Sequence, residues 1–336
     1  MIEGSGCPEL VRSFGTQTLA VIKYGVPGII GITRERRHMP RTENIDVKDI
    51  KNGIFTHNLE SWEQFVEFVK DPQLLWPTLI YRGHANADWK VESTLDRLEK
   101  RYPTKPNLGG SIPPHFDVPR VDRKTHLKRF KEFARGRLVT EIPDSDDEWW
   151  ALAQHHGLAT PMLDWTYSPF VSLYFAFEME KCHCEGKLTD PENRAIFALA
   201  HHLVLEKVED TAIAPRPFVP TGHANYRLAN QAGLFLRMTD PEEIGFNVDL
   251  ELYFETYFKS ETYEEPKADG KGNLHPRAIL QKFVIPNNNR VECLRFLDYM
   301  NINRSSLFPD LDGSAIYCNN LWEINFDKAV GFIDSS

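Results

Sequence analysis

Residues 154 to 168 read Gln154-His155-His156-Gly157-Leu158-Ala159-Thr160-Pro161-Met162-Leu163-Asp164-Trp165-Thr166-Tyr167-Ser168, and the run after them, Pro169 to Lys181, is apolar on nearly every side. Nine of those fifteen side chains can hydrogen-bond. A polar segment leading into an apolar helix must satisfy its own backbone, and Asp164, Thr166 and Ser168 are suited to bracing such a turn. Ser168 before Pro169 is an N-cap followed by a proline at the first helical position. A helix without a polar side is covered by other elements. The stretch therefore predicts a buried helix with a hydroxyl-rich corner at its start.

The neighbouring segments supply the cover. Upstream, Ser145-Asp-Asp-Glu148 is a capping box for a helix that carries Trp149, Trp150 and Leu152 and stops at Gly157. Lys124 to Val139 is an amphipathic helix with Leu127, Phe130, Phe133, Ala134 and Leu138 on one face. Residues 101–120, with a Gly-Gly pair and five prolines, form a loop. Pro77 to Tyr81 is a buried strand stopped by Arg82-Gly83. Ser61 to Gln64 is another capping box, opening a helix that ends near Asp71-Pro72. Downstream, Ala195 to Ala200 is a strand, residues 205–223 are loop-like, and Tyr226 to Met238 is a helical turn followed by a strand. Ile279 to Ile285 is a further strand, Asn288 caps a helix through Met300, and a short helix follows Pro309. Helices and strands mix without a βαβ rhythm, which predicts an α+β fold with a mixed central sheet flanked by helices. The expected organisation is an extension with short strands over 1–52, a main domain over 53–325 and a tail over 326–336.

Composition bounds the function. The chain has 336 residues, 41% hydrophobic and 26% charged, with a net charge of −9. That excludes a globally basic nucleic-acid binder but leaves room for a local basic groove. The basic runs Arg34 to Arg41 and Arg123 to Arg137 either line such a groove or are solvated faces. Five cysteines, at 7, 182, 184, 293 and 318, make an odd set and read as reduced thiols in a cytoplasm. Met1 to Ser5 show no signal peptide, and no run is long enough for a membrane span. Cys182-His183-Cys184 is too tightly spaced for the usual zinc pair and reads as a surface helix terminus, so no metal is expected. Walker, Gly-x-Gly-x-x-Gly and Gly-x-Ser-x-Gly patterns do not occur.

Three polar stretches sit in apolar surroundings. At Tyr81-Arg82-Gly83 a guanidinium at a strand end presents a fork to a phosphate or carboxylate, or pairs with a neighbouring acid. In residues 154–168, Asp164 is either a turn brace or a functional carboxylate. His155 and His156 are adjacent and cannot share one helix face. At Arg227-Leu-Ala-Asn-Gln231-Ala-Gly233-Leu-Phe235, Gln231 lies beside a glycine that admits a ligand or another backbone.

Together these stretches resemble the FRG domain family, named for its Phe/Tyr-Arg-Gly signature. The resemblance runs through Tyr81-Arg82-Gly83, Trp89 and Leu95-Asp96-Arg97. It continues through Gln154-His155-His156-Gly157, Thr160, Leu163-Asp164-Trp165-Thr166, Ser168-Pro169 and Leu173 to Ala176, then Arg227, Gln231, Gly233 and Phe235, and finally Leu307 to Gly313. It covers roughly residues 55–320 and departs at Pro161-Met162, where Arg-Leu is expected. The family occurs widely in bacteria and phages, and its biochemical activity is poorly defined.

A weaker resemblance is to ADP-ribosyltransferases of the Arg-Ser-Glu type, which implies a split sheet and NAD as substrate, with a role as toxin or anti-phage effector. By that resemblance Arg82, Asp164 and Gln231 are the catalytic candidates. Tyr81, Arg82, Gly83, His155, His156, Trp165, Thr166, Ser168 and Tyr174 are the candidates for holding NAD. The acceptor is a nucleic acid or a protein. Gln231 stands where that family has Glu. An amide can hydrogen-bond a ribose hydroxyl but cannot neutralise cationic charge, so Asp164 or Glu178 must supply the carboxylate, or the chain binds a nucleotide without turning it over.

Overall fold

The computed structural model of the chain describes residues 50–51, 54–70, 79–102, 122–138, 142–184, 187–200, 215–220, 226–238, 250, 253 and 280–333. The strands expected within residues 1–49 and most of the 101–120 loop lie outside them. The first described elements are β1 (Ile50–Lys51), β2 (Ile54–Asn58), α1 (Trp62–Val69), β3 (Leu79–His84), α2 (Thr94–Arg101), α3 (Arg123–Ala134), α4 (Asp146–His155), β4 (Met162–Thr166) and α5 (Pro169–Phe177). Next come the hairpin β5 (Cys182–Cys184) and β6 (Lys187–Thr189), then β7 (Asn193–Ala200), β8 (Arg216–Phe218), α6 (Tyr226–Asn230) and β9 (Gly233–Arg237). The chain closes with β10 (Leu280–Pro286), α7 (Arg290–Tyr299), α8 (Arg304–Leu307) and α9 (Leu311–Ile333). The fold is α+β, as the sequence predicts.

Eight strands form one mixed sheet in the order β1-β2-β10-β7-β3-β4-β9-β8. Only β2 and β10 are parallel; the other pairs are antiparallel. The central join is thin. β3 pairs with β7 along its full length, from Leu79↔Ala200 to His84↔Ala195, and β4 with β9 from Met162↔Arg237 to Thr166↔Gly233. Between β3 and β4 a single register pair remains, Tyr81↔Thr166. A ladder continued in that register would set Gly83 opposite Asp164; the strands part instead.

One face of the sheet carries α1, α5 and α7, packed through Phe65, Leu173, Phe177, Phe283 and Leu297, all fully buried. Ile80, Leu163, Trp165, Phe197 and Leu236 point to the opposite face. The buried helix forms as expected: the Ser168 hydroxyl accepts from the Val171 amide at 3.3 Å and Pro169 opens α5. Gly83 is where α5 crosses β3. A Cβ there would lie 2.0 Å from the Ser172 carbonyl oxygen and 2.7 Å from the Ala176 nitrogen.

Several expectations need correction. The strand read as ending at Arg82-Gly83 runs on to His84, because Gly83 still pairs with Ile196. The corner at Asp164 to Ser168 is mostly strand, β4, closed by the β9 ladder. Ser61 makes no side-chain cap; Gln64 instead accepts from the Glu60 amide at 2.9 Å, one residue upstream. Phe133 does not join the α3 core face and is 69% exposed. Cys182 to Cys184 is a strand rather than a helix terminus, and β8 lies in the segment read as loop. The helix from Asn288 starts after Asn289, whose φ of 54° is left-handed and whose side chain makes no cap. The C-terminal helix extends through most of the presumed tail. No helix among the described residues is long and apolar enough to cross a membrane.

Two measurements follow from this packing. Gly83→Ala pushes a methyl into backbone that cannot yield, and urea denaturation will show a loss at or above about 3 kcal/mol, the upper end for overpacking. His57, stacked on Phe283 at 4.5 Å, has its pKa lowered to about 4 by burial, with the Gln281 hydrogen bond opposing. The unfolded ring binds a proton more readily, so stability is full above pH 6.5 and falls as the pH drops through 6.5 toward 4. The expected loss is about 3 kcal/mol, absent in His57→Phe.

Candidate functional site

Where β3 and β4 part, a cavity of about 410 Å³ opens. Both strands form one wall, from Tyr81 to Ala85 and from Asp164 to Thr166. α4 contributes Ala151, Gln154 and His155, and the end of α5 adds Phe175 and Glu178. Arg227, Gln231 and Phe308 close the remaining side, and Trp89 and Arg97 reach in from the segment after β3.

Arg82 fills the gap left by the missing ladder. Its Nη1 donates to the Asp164 backbone oxygen at 2.6 Å and lies 4.0 Å from the Asp164 carboxylate. Its Nε donates to His84 Nε2 at 3.1 Å. That bond requires Nε2 to be unprotonated, and burial, with Arg82 adding repulsion, holds the His84 pKa well below its ordinary value. Nη2 has no partner among the described residues, and Arg82 lines the cavity. Burial lowers the Arg82 pKa, against the pull of Asp164, but a guanidinium keeps its proton.

Asp164 is built differently. Its Oδ1 accepts from Gln154 Nε2 at 2.6 Å, and the Gln154 carbonyl oxygen accepts from the Thr160 hydroxyl. Thr160 is itself tied to α2, its amide donating to Thr94 Oγ1 at 2.9 Å. The Asp164 side chain is 60% accessible and lines the cavity. The loss of hydration raises its pKa above the usual carboxylate range, although Arg82 and Gln154 pull the other way.

Glu178 and Arg227 are committed to ion pairs. Glu178 accepts from Arg304 Nη1 at 2.5 Å and from the Tyr174 hydroxyl at 3.2 Å. Arg227 is paired with Asp310 through both Nε and Nη2. The His155 pKa is lowered, by burial first and by Arg227 next, so the ring is neutral near pH 7. Phe308 lies beneath the Arg304 guanidinium at 3.7 Å.

The structure thus brings Tyr81, Arg82, Gly83, His155, Asp164, Thr166 and Gln231 to one cavity, and leaves other expected residues apart. Trp165 borders the cavity, but its ring is 2% exposed and packs in the core on the opposite face, as strand alternation from Asp164 requires. Tyr174 is buried within α5, His156 is exposed beyond the end of α4, and the Ser168 hydroxyl caps α5; none of the three lines the cavity. Thr166 lines it with a hydroxyl already in use, donating to the Gln231 carbonyl at 2.6 Å and accepting from the Ser168 amide at 3.0 Å. Gln231 sits in the turn before β9 rather than on a strand. Its amide donates to the Leu307 carbonyl at 3.2 Å, and the next residue, Ala232, has a left-handed φ of 45°.

Gln154, Trp89, Arg97, Phe175 and Phe308 were not among the expected site residues. Gln154 had a legible signal, because it sits in the last turn of a helix that leads straight to the Asp164 strand. The three aromatic walls fall in stretches that resemble the family, but nothing in the sequence tells a ring in a core from a ring in a cavity. Among the described residues no group of side chains is arranged to hold a metal ion.

Because the folded state disfavours the Asp164 carboxylate, its contribution to stability is greatest in acid and is lost as the pH rises through its raised pKa. Asp164→Asn removes that charge and keeps an acceptor for Gln154. Thermal melts at pH 7 will show the variant at or above the wild-type Tm.

No curated protein and no solved structure matches the chain. Residues 77–184, which include β3, α4, β4 and α5, match the model of the FRG domain family. The strand with Tyr81-Arg82-Gly83, the helix ending in Gln154-His155 and the strand of Asp164 all fall inside that match, and the chain therefore carries an FRG domain.

Proposed function

We propose that the cavity binds NAD and transfers its ADP-ribosyl group to an acceptor nucleophile on a nucleic acid or protein. The observation that carries this reading is the Arg82–Asp164 pair: a guanidinium with one free arm beside a cavity-facing carboxylate that Gln154 holds in place. The cavity volume falls in the range of small-molecule sites. Arg82 Nη2 donates to a pyrophosphate oxygen, and the rings of Trp89, Phe175 and Phe308 offer faces for the nicotinamide or adenine. The C1′–N bond breaks and its electron pair leaves with neutral nicotinamide. Positive charge develops on the ribose, and the Asp164 carboxylate stabilises it. The acceptor bonds to C1′ and passes its proton to Asp164, whose raised pKa suits a base. An enzyme of this kind acts as a toxin or anti-phage effector by depleting NAD or by disabling its acceptor.

One observation favours a second reading, a nucleotide-binding module without turnover. Gln231 carries no charge, and its amide is spent on Leu307. Incubating the purified chain with labelled NAD and either lysate or nucleic acid separates the two. The expected result is nicotinamide release, reduced by about a hundredfold or more in Asp164→Asn. The rate should fall on the acid side at a pH above the ordinary carboxylate value of about 3.9, because Asp164 must be ionised. Arg82→Lys, which loses the fork, should raise KM. Saturable NAD binding without release supports the second reading, and no NAD binding at all overturns both.

A further inference from the structure

α3 and the turn after it form the most basic segment among the described residues of an acidic chain. From Arg123 to Arg137 there are seven Lys and Arg residues and one acid, Glu132, whereas the whole chain has a net charge of −9. The fold uses some of these cations. Arg123 is buried, holding Asp96 at 2.5 Å and Glu99 at 2.8 Å on α2. Lys131 pairs with Asp146 and lies 5.5 Å from the centre of the Trp149 ring. Four others face solvent. Lys128, Arg129, Arg135 and Arg137 are exposed and have no acidic partner among the described residues. The Arg137 guanidinium donates to the Phe133 carbonyl at 2.5 Å.

Among these charges stands Phe133, 69% exposed. It is four residues from Arg129 and so shares its side of the helix. A phenyl ring left in water forgoes the free energy that its burial would supply. A cationic surface with an outward aromatic ring matches an unpaired nucleic-acid strand, which offers phosphates to the cations and base faces to the ring. A duplex conceals its base faces and would use only the charges. An acidic protein would likewise use only the charges.

We infer that the outer face of α3 and its C-terminal turn bind single-stranded nucleic acid. α3 packs on α4, the helix that brings Gln154 and His155 to the cavity, so the bound strand is held by an element joined to the site wall. This names the class of acceptor for the transfer proposed above and rests on that reading only in that respect. Binding is measured without NAD, so either proposal can fail alone.

The test is fluorescence anisotropy of the full chain with a short labelled single-stranded oligonucleotide, its duplex and a polyglutamate peptide. Four phosphate contacts predict that log K falls against log salt with a slope of about −2.8, or roughly fiftyfold in affinity between about 50 mM and 200 mM salt. The double variant K128A/R129A should lower that slope to about −1.4. Phe133→Ala should weaken single-strand binding by about fivefold or more and leave duplex binding unchanged. All three side chains are exposed, so an unchanged Tm confirms that the variants fold. The inference is overturned by absent oligonucleotide binding at about 50 mM salt. It is also overturned if binding is indifferent to K128A/R129A, if Phe133→Ala has no selective effect on the single strand, or if polyglutamate binds as tightly as the oligonucleotide.

Discussion

The site depends on one guanidinium that stands in for a stretch of missing sheet. β3 and β4 meet at Tyr81 and Thr166 and then separate. Each of the two is fully paired on its other side, by β7 and β9. A gap in the middle of a sheet exposes backbone polar groups, and leaving these unpaired is expensive. Arg82 resolves the difficulty by donating to the Asp164 carbonyl across the gap. The bond that satisfies the backbone also fixes a cation at the rim of the cavity. Gly83 lets α5 lie directly over β3 beside it, so the opening is backed by a rigid helix.

The second constraint is the row from Thr160 through Gln154 to Asp164. A primary amide donates on one side and accepts on the other, so Gln154 reads the Thr160 hydroxyl and presents its NH₂ to the carboxylate. Asp164 is thereby oriented while its environment opposes its charge. Such a group detracts from the folded state near neutral pH, the pattern expected where a residue is retained for chemistry rather than for stability.

The sequence is legible where the physics is local. Ser168-Pro169 marks the start of α5 and Gly157 the end of α4; the apolar run from Pro169 marks a buried helix, but that helix stops at Phe177 rather than Lys181, and Met179 is 44% exposed. The Tyr-Arg-Gly element, the Asp164 segment and Gln231 were identified as polar islands, and they do converge on one cavity. What was not legible depended on register and on which side a chain faces. Trp165 looked like a ligand-facing ring, but its neighbour Asp164 takes the cavity side and alternation sends the indole to the core. Phe133 looked like a core residue because its spacing fits the apolar face, yet nothing packs over it. α2 went unread although Ser93 and Asp96 form a reciprocal cap, because the signal carries Asp where Glu or Gln is the usual mark.

The cavity draws on more of the chain than residues 77–184, which match the family model. Gln231 is pinned to Leu307, Arg227 to Asp310, and Phe308 forms part of the wall, while β7 supports the strand of Arg82. All of these lie beyond residue 184. The matched segment is therefore not a portable cassette. A recombinant fragment or a shuffled gene that stops at its boundary would keep the signature motifs and forfeit the floor beneath them, and any natural rearrangement that preserves the pocket must inherit the chain as far as Asp310.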